Sequence, residues 1–335
     1  MKVIEIKNLS KEYKMVDKEA GVLGTFKSLF APRYKTVTAV EDISFDVDEG
    51  DILGFIGPNG AGKSTTIKMM VGILNPSSGS VMVNGLEPYK NRKENAQTMG
   101  IVFGQRTQLW WDIPVVETFS LLKDMYKIPD RKYKENLLLF DDILQINEFI
   151  NKPTRQLSLG QRMRADICAA LIHNPKILFL DEPTIGLDVV VKGKIREFIR
   201  EINKTNKTTV ILTTHDISDI EKLSNKIIVI DKGKKIYNGN LEDLKDKYGG
   251  EVSIAISAEY KEREAIIKRL KNEDVILNSE DKLIVRFNKK NYTSLDILSK
   301  IISSTDIKDF SIKETDMEEV VKKIYGYNEI EKGVV

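Results

Sequence analysis

A glycine-rich run that ends in a lysine and two hydroxyl side chains is the strongest chemical signal in the sequence. It consists of Gly57, Pro58, Asn59, Gly60, Ala61, Gly62, Lys63, Ser64 and Thr65. The spacing fits the phosphate-binding pattern G-x-x-x-x-G-K-[ST]. Glycines let backbone N–H groups approach phosphate oxygens, while Lys63 can pair the β- and γ-phosphates and the Ser64 hydroxyl can ligate Mg²⁺. The run therefore predicts a site for a nucleoside triphosphate with its magnesium ion.

The residues on either side predict the elements that such a loop needs. Residues 51–56 read as a buried strand, and a helix continues from about Ser64 through residues 65–70. The N-terminal end of that helix would point its partial positive charge at the bound anion. The alternative is a glycine-rich turn that binds nothing, and the strand–loop–helix context disfavours it.

Two carboxylates follow a second apolar strand. Residues 177–180 are Ile-Leu-Phe-Leu, and Asp181 and Glu182 come directly after them. In an enzyme with a phosphate loop, Asp181 would hold Mg²⁺, mostly through water, and Glu182 would polarise the attacking water. The alternative is a strand that ends in a polar turn, and the phosphate loop upstream makes the catalytic interpretation the stronger one.

A third motif lies between these two, where residues 156–162 read Q-L-S-L-G-Q-R before a helical run. Ser158 could be a helix N-cap, or it could form a second anion site with the Gly160 amide. Here the sequence resembles the nucleotide-binding subunits of ABC transporters, whose signature is Leu-Ser-Gly-Gly-Gln. In that family two subunits sandwich two ATP molecules head to tail. The resemblance implies that Ser158 and Gly160, with Gln161 in the same motif, contact ATP held by the other subunit. Leu159 departs from the family pattern.

The resemblance also assigns roles to residues outside these motifs. Gln105 is similar to the Q-loop glutamine, which touches Mg²⁺ or the water and signals to the permease, and His215 is similar to the switch histidine that contacts the γ-phosphate. Asp188 lies in a stretch that resembles the D-loop of the dimer interface, although a plain N-cap is an alternative. The adenine needs an apolar ring to stack on, and Tyr13 is favoured over Tyr34 because it ends the first strand.

An insertion of roughly twenty residues separates the two tyrosines. Val22, Phe26, Leu29 and Phe30 fall on one helical face within it. Such a helix would lie against the permease or the inner lipid surface, or it would pack on its own domain. The sequence favours neither alternative.

Composition limits the partners and the compartment. The chain has 335 residues, with 52 Lys+Arg against 50 Asp+Glu, which predicts no nucleic-acid partner. Its one cysteine, Cys168, lies in an apolar helical run, so no disulfide can form within the chain and a reducing cytoplasm fits. The N-terminus alternates like a strand and does not resemble a signal peptide. No run of eighteen apolar residues occurs, so a membrane role would need a partner.

The predicted fold class is α/β. The resemblance implies a P-loop NTPase of ABC ATPase type over residues 1–245, with a RecA-like core, an antiparallel β subdomain and a helical subdomain at about 115–165. Residues 250–330 predict a small α+β domain, because strands and helices follow in the order βαββαβ of ferredoxin-like domains. A regulatory or dimer-supporting role and simple packing are both open for it.

These motifs together predict an ATPase that converts ATP and water to ADP and phosphate and thereby powers a separate membrane permease. The expected partners are that permease and a second copy of the chain or a related ATPase subunit. The expected location is the cytoplasm, peripheral on the inner face of the membrane. Residues 110–114, Trp-Trp-Asp-Ile-Pro, with the insertion and the C-terminal domain, resemble drug exporters with ABC-2-type permeases.

Two other classes of ATPase share some of these motifs. DNA-maintenance ATPases of the SMC or Rad50 kind separate the two halves of the site with long heptad repeats, and no such repeat lies between Lys63 and Asp181. Ribosome-associated ABC-F factors carry two cassettes in one chain, whereas this sequence has one phosphate loop and one signature. A salt-sensitive RNA pull-down would reopen the second class.

Overall fold

A computed structural model of the chain describes residues 1–16, 34–104, 106–214, 216–270, 275–279, 283–302 and 307–325. The chain divides into two compact units, Met1–Gly239 and Asn240–Val335. The sequence placed the end of the first domain at residue 245, which lies inside the helix Leu241–Tyr248. The two compact units therefore divide a few residues before the predicted boundary. The predicted apolar face of the insertion, within residues 21–30, lies outside the described residues.

The first unit contains these elements in chain order: β1 (Lys2–Val16), β2 (Tyr34–Asp48), β3 (Ile52–Ile56), α1 (Lys63–Met70), β4 (Ser78–Val83), α2 (Arg92–Ala96), β5 (Met99–Phe103), α3 (Val115–Met125), α4 (Asp130–Leu144), α5 (Leu159–Leu171), β6 (Ile177–Asp181), α6 (Val189–Asn206), β7 (Thr209–Thr213), α7 (Ile217–Leu223), β8 (Lys226–Asp231) and β9 (Lys234–Asn240). Two sheets are built from them. One has six strands in the order β5-β6-β7-β3-β8-β9, and the other has three in the order β2-β1-β4.

The six-stranded sheet is parallel from β5 through β8. Its central strands are apolar along their whole length because both faces are covered, and every residue of β3 and β7 is buried. The three-stranded sheet is antiparallel, and one hydrophobic core joins it to α1 and to the parallel sheet. The predicted α/β core with an antiparallel subdomain is confirmed.

The predicted helical subdomain contains α3 and α4. Phe140 of α4 meets Phe198 of α6 edge to face, with ring centroids 5.7 Å apart. This aromatic contact attaches the helices to the core. Among the described residues, no helix has the length and apolar character needed to cross a lipid bilayer.

The second unit contains α8 (Leu241–Tyr248), β10 (Glu251–Ser257), α9 (Tyr260–Leu270), β11 (Val275–Ser279), β12 (Leu283–Asn288), α10 (Ser294–Ile302), β13 (Asp309–Glu314) and α11 (Met317–Ile324). Its antiparallel sheet has the order β11-β12-β10-β13. Apolar residues of α9 and α10 cover one face of this sheet and form a separate core. The predicted ferredoxin-like order of strands and helices is confirmed.

Candidate functional site

The glycine-rich loop connects β3 to α1, as the motif requires. Gly62 has a φ of 107°, and a Cβ there would come within 2.5 Å of the Ala39 carbonyl oxygen. A Cβ at Gly57 would come within 2.7 Å of the Ile230 carbonyl oxygen. Larger residues at these two positions would displace the loop, so its shape depends on glycine.

The Lys63 side chain is buried and folds back over the loop. Its Nζ donates to the carbonyl oxygens of Gly57 at 2.6 Å and Pro58 at 3.2 Å. Burial lowers the pKa of Lys63, and the nearby carboxylates Glu182 and Asp181 oppose that shift. The lysine is therefore a desolvated cation beside the loop, where an anionic phosphate would be favourable.

The predicted magnesium ligands lie together at one edge of the parallel sheet. The Ser64 hydroxyl donates to Asp181 Oδ1 at 3.4 Å, and the Thr213 hydroxyl donates to the same oxygen at 2.6 Å. Asp181 and Thr213 are paired terminal residues of β6 and β7, so the register sets this contact. The described residues form no cluster of three or more metal-binding side chains. One carboxylate and one hydroxyl fit Mg²⁺, which takes its other oxygens from phosphates and water.

Glu182 begins the turn after β6 in a left-handed conformation, with a φ of 58°. Its N–H donates to the carbonyl oxygen of Thr213 at 3.0 Å and to Thr213 Oγ1 at 3.1 Å. A non-glycine residue in this conformation has a small strain energy, which contacts with the surrounding structure must offset. The turn at Glu182 lies so close to residue 104 that only glycine fits there, because a Cβ at Gly104 would lie 2.5 Å from the Glu182 carbonyl oxygen.

Two predicted site residues, Gln105 and His215, lie outside the described residues. The neighbours Gly104 and Thr214 are described, and these two residues lie beside the site. Gly104 N–H donates to the Asp181 carbonyl oxygen at 2.8 Å. Thr214, which precedes His215, belongs to a buried polar network that is described below.

The signature motif forms the N-terminus of α5, and two residues of the motif cap this helix. Ser158 Oγ accepts from the Gln161 N–H at 3.2 Å, and Gln161 Oε1 accepts from the Ser158 N–H at 3.1 Å, which is a capping box. The N-cap interpretation of Ser158 is therefore confirmed. The Ser158 side chain is also exposed, so a contact with a nucleotide of another subunit stays a prediction.

Leu159, the departure from the family pattern, lies beside the loop that follows Glu182. A Cβ at Gly186 would be 3.1 Å from the Leu159 side chain, and a Cβ at Gly160 would be 3.3 Å from Val191. Leu159 remains 41% exposed. Asp188 caps α6 by accepting from the Val191 N–H at 2.9 Å. The signature thus contacts the D-loop and the start of α6, which its sequence alone did not indicate.

The two candidate tyrosines lie on the ribbon formed by β1 and β2. Tyr13 is paired with Val37, and Tyr34 is paired with Val16. Tyr13 is 36% exposed and Tyr34 is 62% exposed. Lys11 Nζ lies 5.4 Å from the centroid of the Tyr13 ring. Tyr13 does not end the first strand as the sequence indicated, because β1 continues to Val16. Stacking of Tyr13 on adenine stays a prediction.

A buried polar network behind the site was missed by the sequence reasoning. Asp219 on α7 is fully buried, and its carboxylate accepts from Thr184 Oγ1 at 2.5 Å, Thr214 Oγ1 at 3.2 Å and Arg196 Nε at 2.6 Å. Thr184 follows Glu182 by two residues, and Arg196 comes from α6. One carboxylate therefore connects the turn after β6, the loop after β7 and α6.

A second missed residue, Asp166 on α5, anchors the loop after Gln105. Its carboxylate accepts from Thr107 Oγ1 at 2.8 Å and from the Gln108 N–H at 3.0 Å, and its carbonyl oxygen accepts from Gln108 Nε2 at 2.8 Å. Burial raises its pKa from about 3.8 to about 6, although these hydrogen bonds oppose the shift. The signature helix and the loop after position 105 are therefore joined within one subunit.

We expect Asp166→Asn to remove a pH dependence of stability. The folded protein binds the Asp166 proton more tightly than the unfolded chain does, so this group stabilises the fold below about pH 4, and that contribution is lost as the pH rises through about 6. The loss is roughly 2–3 kcal/mol. Asn keeps an acceptor for Thr107 and Gln108. Urea unfolding of both proteins from pH 4.5 to 7.5, with the exposed Asp142→Asn as control, should show the difference; a pH-independent offset would contradict it.

Comparisons with known proteins identify relatives of the chain. The sequence profile of the family described as "ABC transporter" matches residues 40–185. The ABC transporter ATP-binding protein NatA of Bacillus subtilis is 32% identical over 215 residues, which cover 64% of this chain and 87% of NatA. The Nod factor export ATP-binding protein I of Cupriavidus metallidurans is 33% identical over 213 residues, which cover 64% of this chain and 70% of that protein.

Longer proteins and solved structures also match. The chain spans 27% of ABC transporter A family member 1 of Dictyostelium discoideum, with 34% identity over 238 residues. The dimeric structure of a post-hydrolysis state of the ATP-binding cassette MJ0796, bound to ADP and phosphate, matches with a TM-score of 0.58 and 26% identity. That match covers 71% of this chain and 98% of the cassette.

Proposed function

The chain belongs to the ATP-binding proteins of ABC transporters, and from this premise we propose which residues carry its activity and in which direction it drives transport. Proteins of this family bind ATP with Mg²⁺, hydrolyse it, and work as dimers with membrane permeases. The observation that carries the assignment of residues is the convergence of Lys63, Ser64 and Asp181 at one edge of the parallel sheet.

In the proposed mechanism, the loop amides and Lys63 bind the phosphates. Ser64 and Asp181 would hold Mg²⁺, which neutralises charge that develops on the phosphates. Glu182 orients the attacking water and accepts its proton. Thr213 supports both carboxylate residues, because its hydroxyl donates to Asp181 and its carbonyl and hydroxyl oxygens accept from the Glu182 N–H.

A second copy of the chain completes the site in this proposal. The exposed Ser158 and the half-buried Gly160 at the start of α5 would contact the γ-phosphate bound by the other copy, where a helix N-terminus favours an anion. His215 would contact the same phosphate, and Gln105 would link the site to the permease. Loss of the γ-phosphate by hydrolysis would then separate the two surfaces.

We further propose that transport is outward and that the chain sits on the inner face of the membrane, bound to its permease. The relative from Cupriavidus metallidurans is named as a Nod factor export protein, and this supports outward transport by the present chain. Trp110 and Trp111 lie in the stretch that resembles ABC-2-type exporters, and both are exposed. This resemblance also supports outward transport.

Lys63→Ala tests the role of the loop. We expect it to weaken binding of ATP with Mg²⁺ at least about tenfold, because a desolvated charge-assisted contact to phosphate is lost. Lys68→Ala, an exposed lysine on the same helix, is the matched control and should bind like the unaltered chain. Titration with a fluorescent ATP analogue measures the affinity. Equal affinity of the two variants would refute the assignment.

A further inference from the structure

The last strand of the second unit, β13, lies at the edge of its sheet. In the described part of this unit it pairs only with β10, and all six of its residues are exposed. It nevertheless carries two apolar side chains, Phe310 and Ile312, which are 41% and 44% exposed. They lie opposite the buried Ile256 and Ile254 of β10, so they extend the apolar face of the sheet. An exposed edge of this kind can pair with another strand.

The hydrogen bonds of the sheet show which main-chain groups of β13 face outward. Thr315 N–H donates to the Glu251 carbonyl oxygen at 3.1 Å, one position beyond the pair of Glu314 with Val252. Alternate residues of an antiparallel strand bond to the same neighbour. Odd-numbered residues of β13 therefore direct N–H and C=O toward β10. Phe310, Ile312 and Glu314 direct theirs away from the sheet.

The sequence of this edge is complementary to itself. If two copies of β13 run antiparallel about a two-fold axis at Ser311, Phe310 lies opposite Ile312 of the other copy. Asp309 then lies opposite Lys313, and Lys308 lies opposite Glu314. The register places the outward-facing main-chain groups of Phe310 and Ile312 opposite each other, as ladder hydrogen bonds require. The Lys308 N–H already donates to the Ser257 carbonyl oxygen at 2.9 Å, so the N–H of Lys308 is not available to the other copy and its side chain supplies the contact with Glu314. Each cross-strand pair is apolar or of opposite charge, and such pairs stabilise antiparallel strands.

The neighbouring registers lack this match. An axis at Phe310 places Lys308 opposite Ile312, and an axis at Ile312 places Phe310 opposite Glu314. An axis between two residues would set outward-facing groups against inward-facing ones. Only the axis at Ser311 satisfies the main chain and both kinds of side chain.

We propose that β13 pairs with β13 of a second copy of the chain, so that the second units of the two copies share one eight-stranded antiparallel sheet. The contact is isologous, as two-fold dimers require. Ion pairs within one copy, Lys313 with Asp316 at 3.0 Å and Lys289 with Glu314 at 2.7 Å, are exposed and can be exchanged at little cost. The contact uses no nucleotide, so it joins two copies whether or not ATP is bound.

Charge reversal at the edge tests the register. Asp309→Lys and Lys313→Asp each place like charges opposite one another twice per dimer, whereas the double variant restores opposite charges. The full-length chain is studied without nucleotide by sedimentation equilibrium, and thermal unfolding confirms that each variant is folded. We expect a dimer for the unaltered chain, a dissociation constant raised at least about tenfold in each single variant, and recovery to within about threefold in the double variant.

Two results would overturn the proposal. One is a monomeric unaltered chain under these conditions. The other is a double variant that is no better associated than the single ones, because intramolecular effects of the charges would then explain the loss.

A cysteine at the axis gives an independent readout. Ser311 would form a non-hydrogen-bonded pair with its own copy, with Cα atoms about 4.5 Å apart. Ser311→Cys should therefore form a disulfide-linked dimer with a mild oxidant and without nucleotide. The native Cys168 is buried and does not interfere. Ser299→Cys, exposed on α10, is the matched control. Equal cross-linking of the two variants, or none, would contradict the pairing.

Discussion

Glu182→Gln is expected to lower kcat for ATP hydrolysis by about 10²–10⁴-fold while ATP stays bound. Gln keeps the size of the side chain and its hydrogen-bonding capacity but cannot accept the proton of the attacking water. The strained conformation of residue 182, with a φ of 58°, affects Glu and Gln alike. The lysine, hydroxyl and Asp181 that would bind the nucleotide and its metal are unchanged. The variant should accumulate in the ATP-bound state.

Phosphate release and ATP binding are measured separately for this variant. Because hydrolysis would open the ATP sandwich, radiolabelled ATP should stay bound through gel filtration for longer in Glu182→Gln than in the unaltered chain. Glu197→Gln, the same chemical change on an exposed face of α6, is the control and should turn over normally. Turnover of Glu182→Gln at the rate of the unaltered chain would remove Glu182 from its proposed role.

The predicted magnesium ligands could be identified from the sequence because each belongs to a motif that is recognisable locally. Ser64 follows a glycine-rich loop and Asp181 ends an apolar strand. Both were predicted to ligate Mg²⁺, which requires them to lie close together, and Ser64 Oγ lies 3.4 Å from Asp181 Oδ1. The meeting of the carboxyl ends of parallel strands at one edge of the sheet explains this contact.

Thr213 could not be assigned in the same way. Its contact with Asp181 depends on β7 lying next to β6, which is a property of strand order. Nothing in the residues around position 213 indicates the neighbour. Thr213 could have been found only by considering every polar residue at the end of a predicted parallel strand.

The long β1–β2 ribbon shows a limit of hydrophobic patterning. Hydrophobic patterning by itself predicts short strands at residues 3–6 and 38–47, whereas β1 extends to Val16 and β2 begins at Tyr34. The added residues are largely exposed. Leu9 is the last residue of β1 that is buried in the core. Beyond it no described side chain of β1 is buried, so apolar and polar residues need not alternate there, and the strand continues through main-chain pairing with its neighbour.

Buried charges were the hardest residues to predict. Asp166, Arg196 and Asp219 lie on helices, where charged residues are usually exposed. Each is buried because partners distant in sequence supply its hydrogen bonds. A single sequence gives no signal of such pairing, and the charge alone favours the opposite assignment.

Asp219→Ala is expected to destabilise the fold by about 3–5 kcal/mol, because it leaves a buried guanidinium without its nearest carboxylate. Arg196 is buried, and its Nε donates to Asp219 at 2.6 Å. Removal of the carboxylate leaves the guanidinium with Asp216, 3.9 Å away, and with Ser218 Oγ at 3.1 Å. Thr184 also loses its acceptor. A buried guanidinium that keeps only the more distant carboxylate of Asp216 is poorly compensated, so the loss should exceed that of an exposed pair.

A double-mutant cycle in urea separates the pair from its surroundings. Asp219→Leu alone leaves a buried cation and Arg196→Leu alone leaves a buried anion, so each should be strongly destabilising. The double variant removes both charges and should lose less than the sum of the two single losses. Glu197→Leu, exposed on the same helix as Arg196, is the control and should change the free energy of unfolding by less than about 1 kcal/mol. Additive losses would show that the Asp219–Arg196 pair is not coupled and would contradict its proposed contribution to stability.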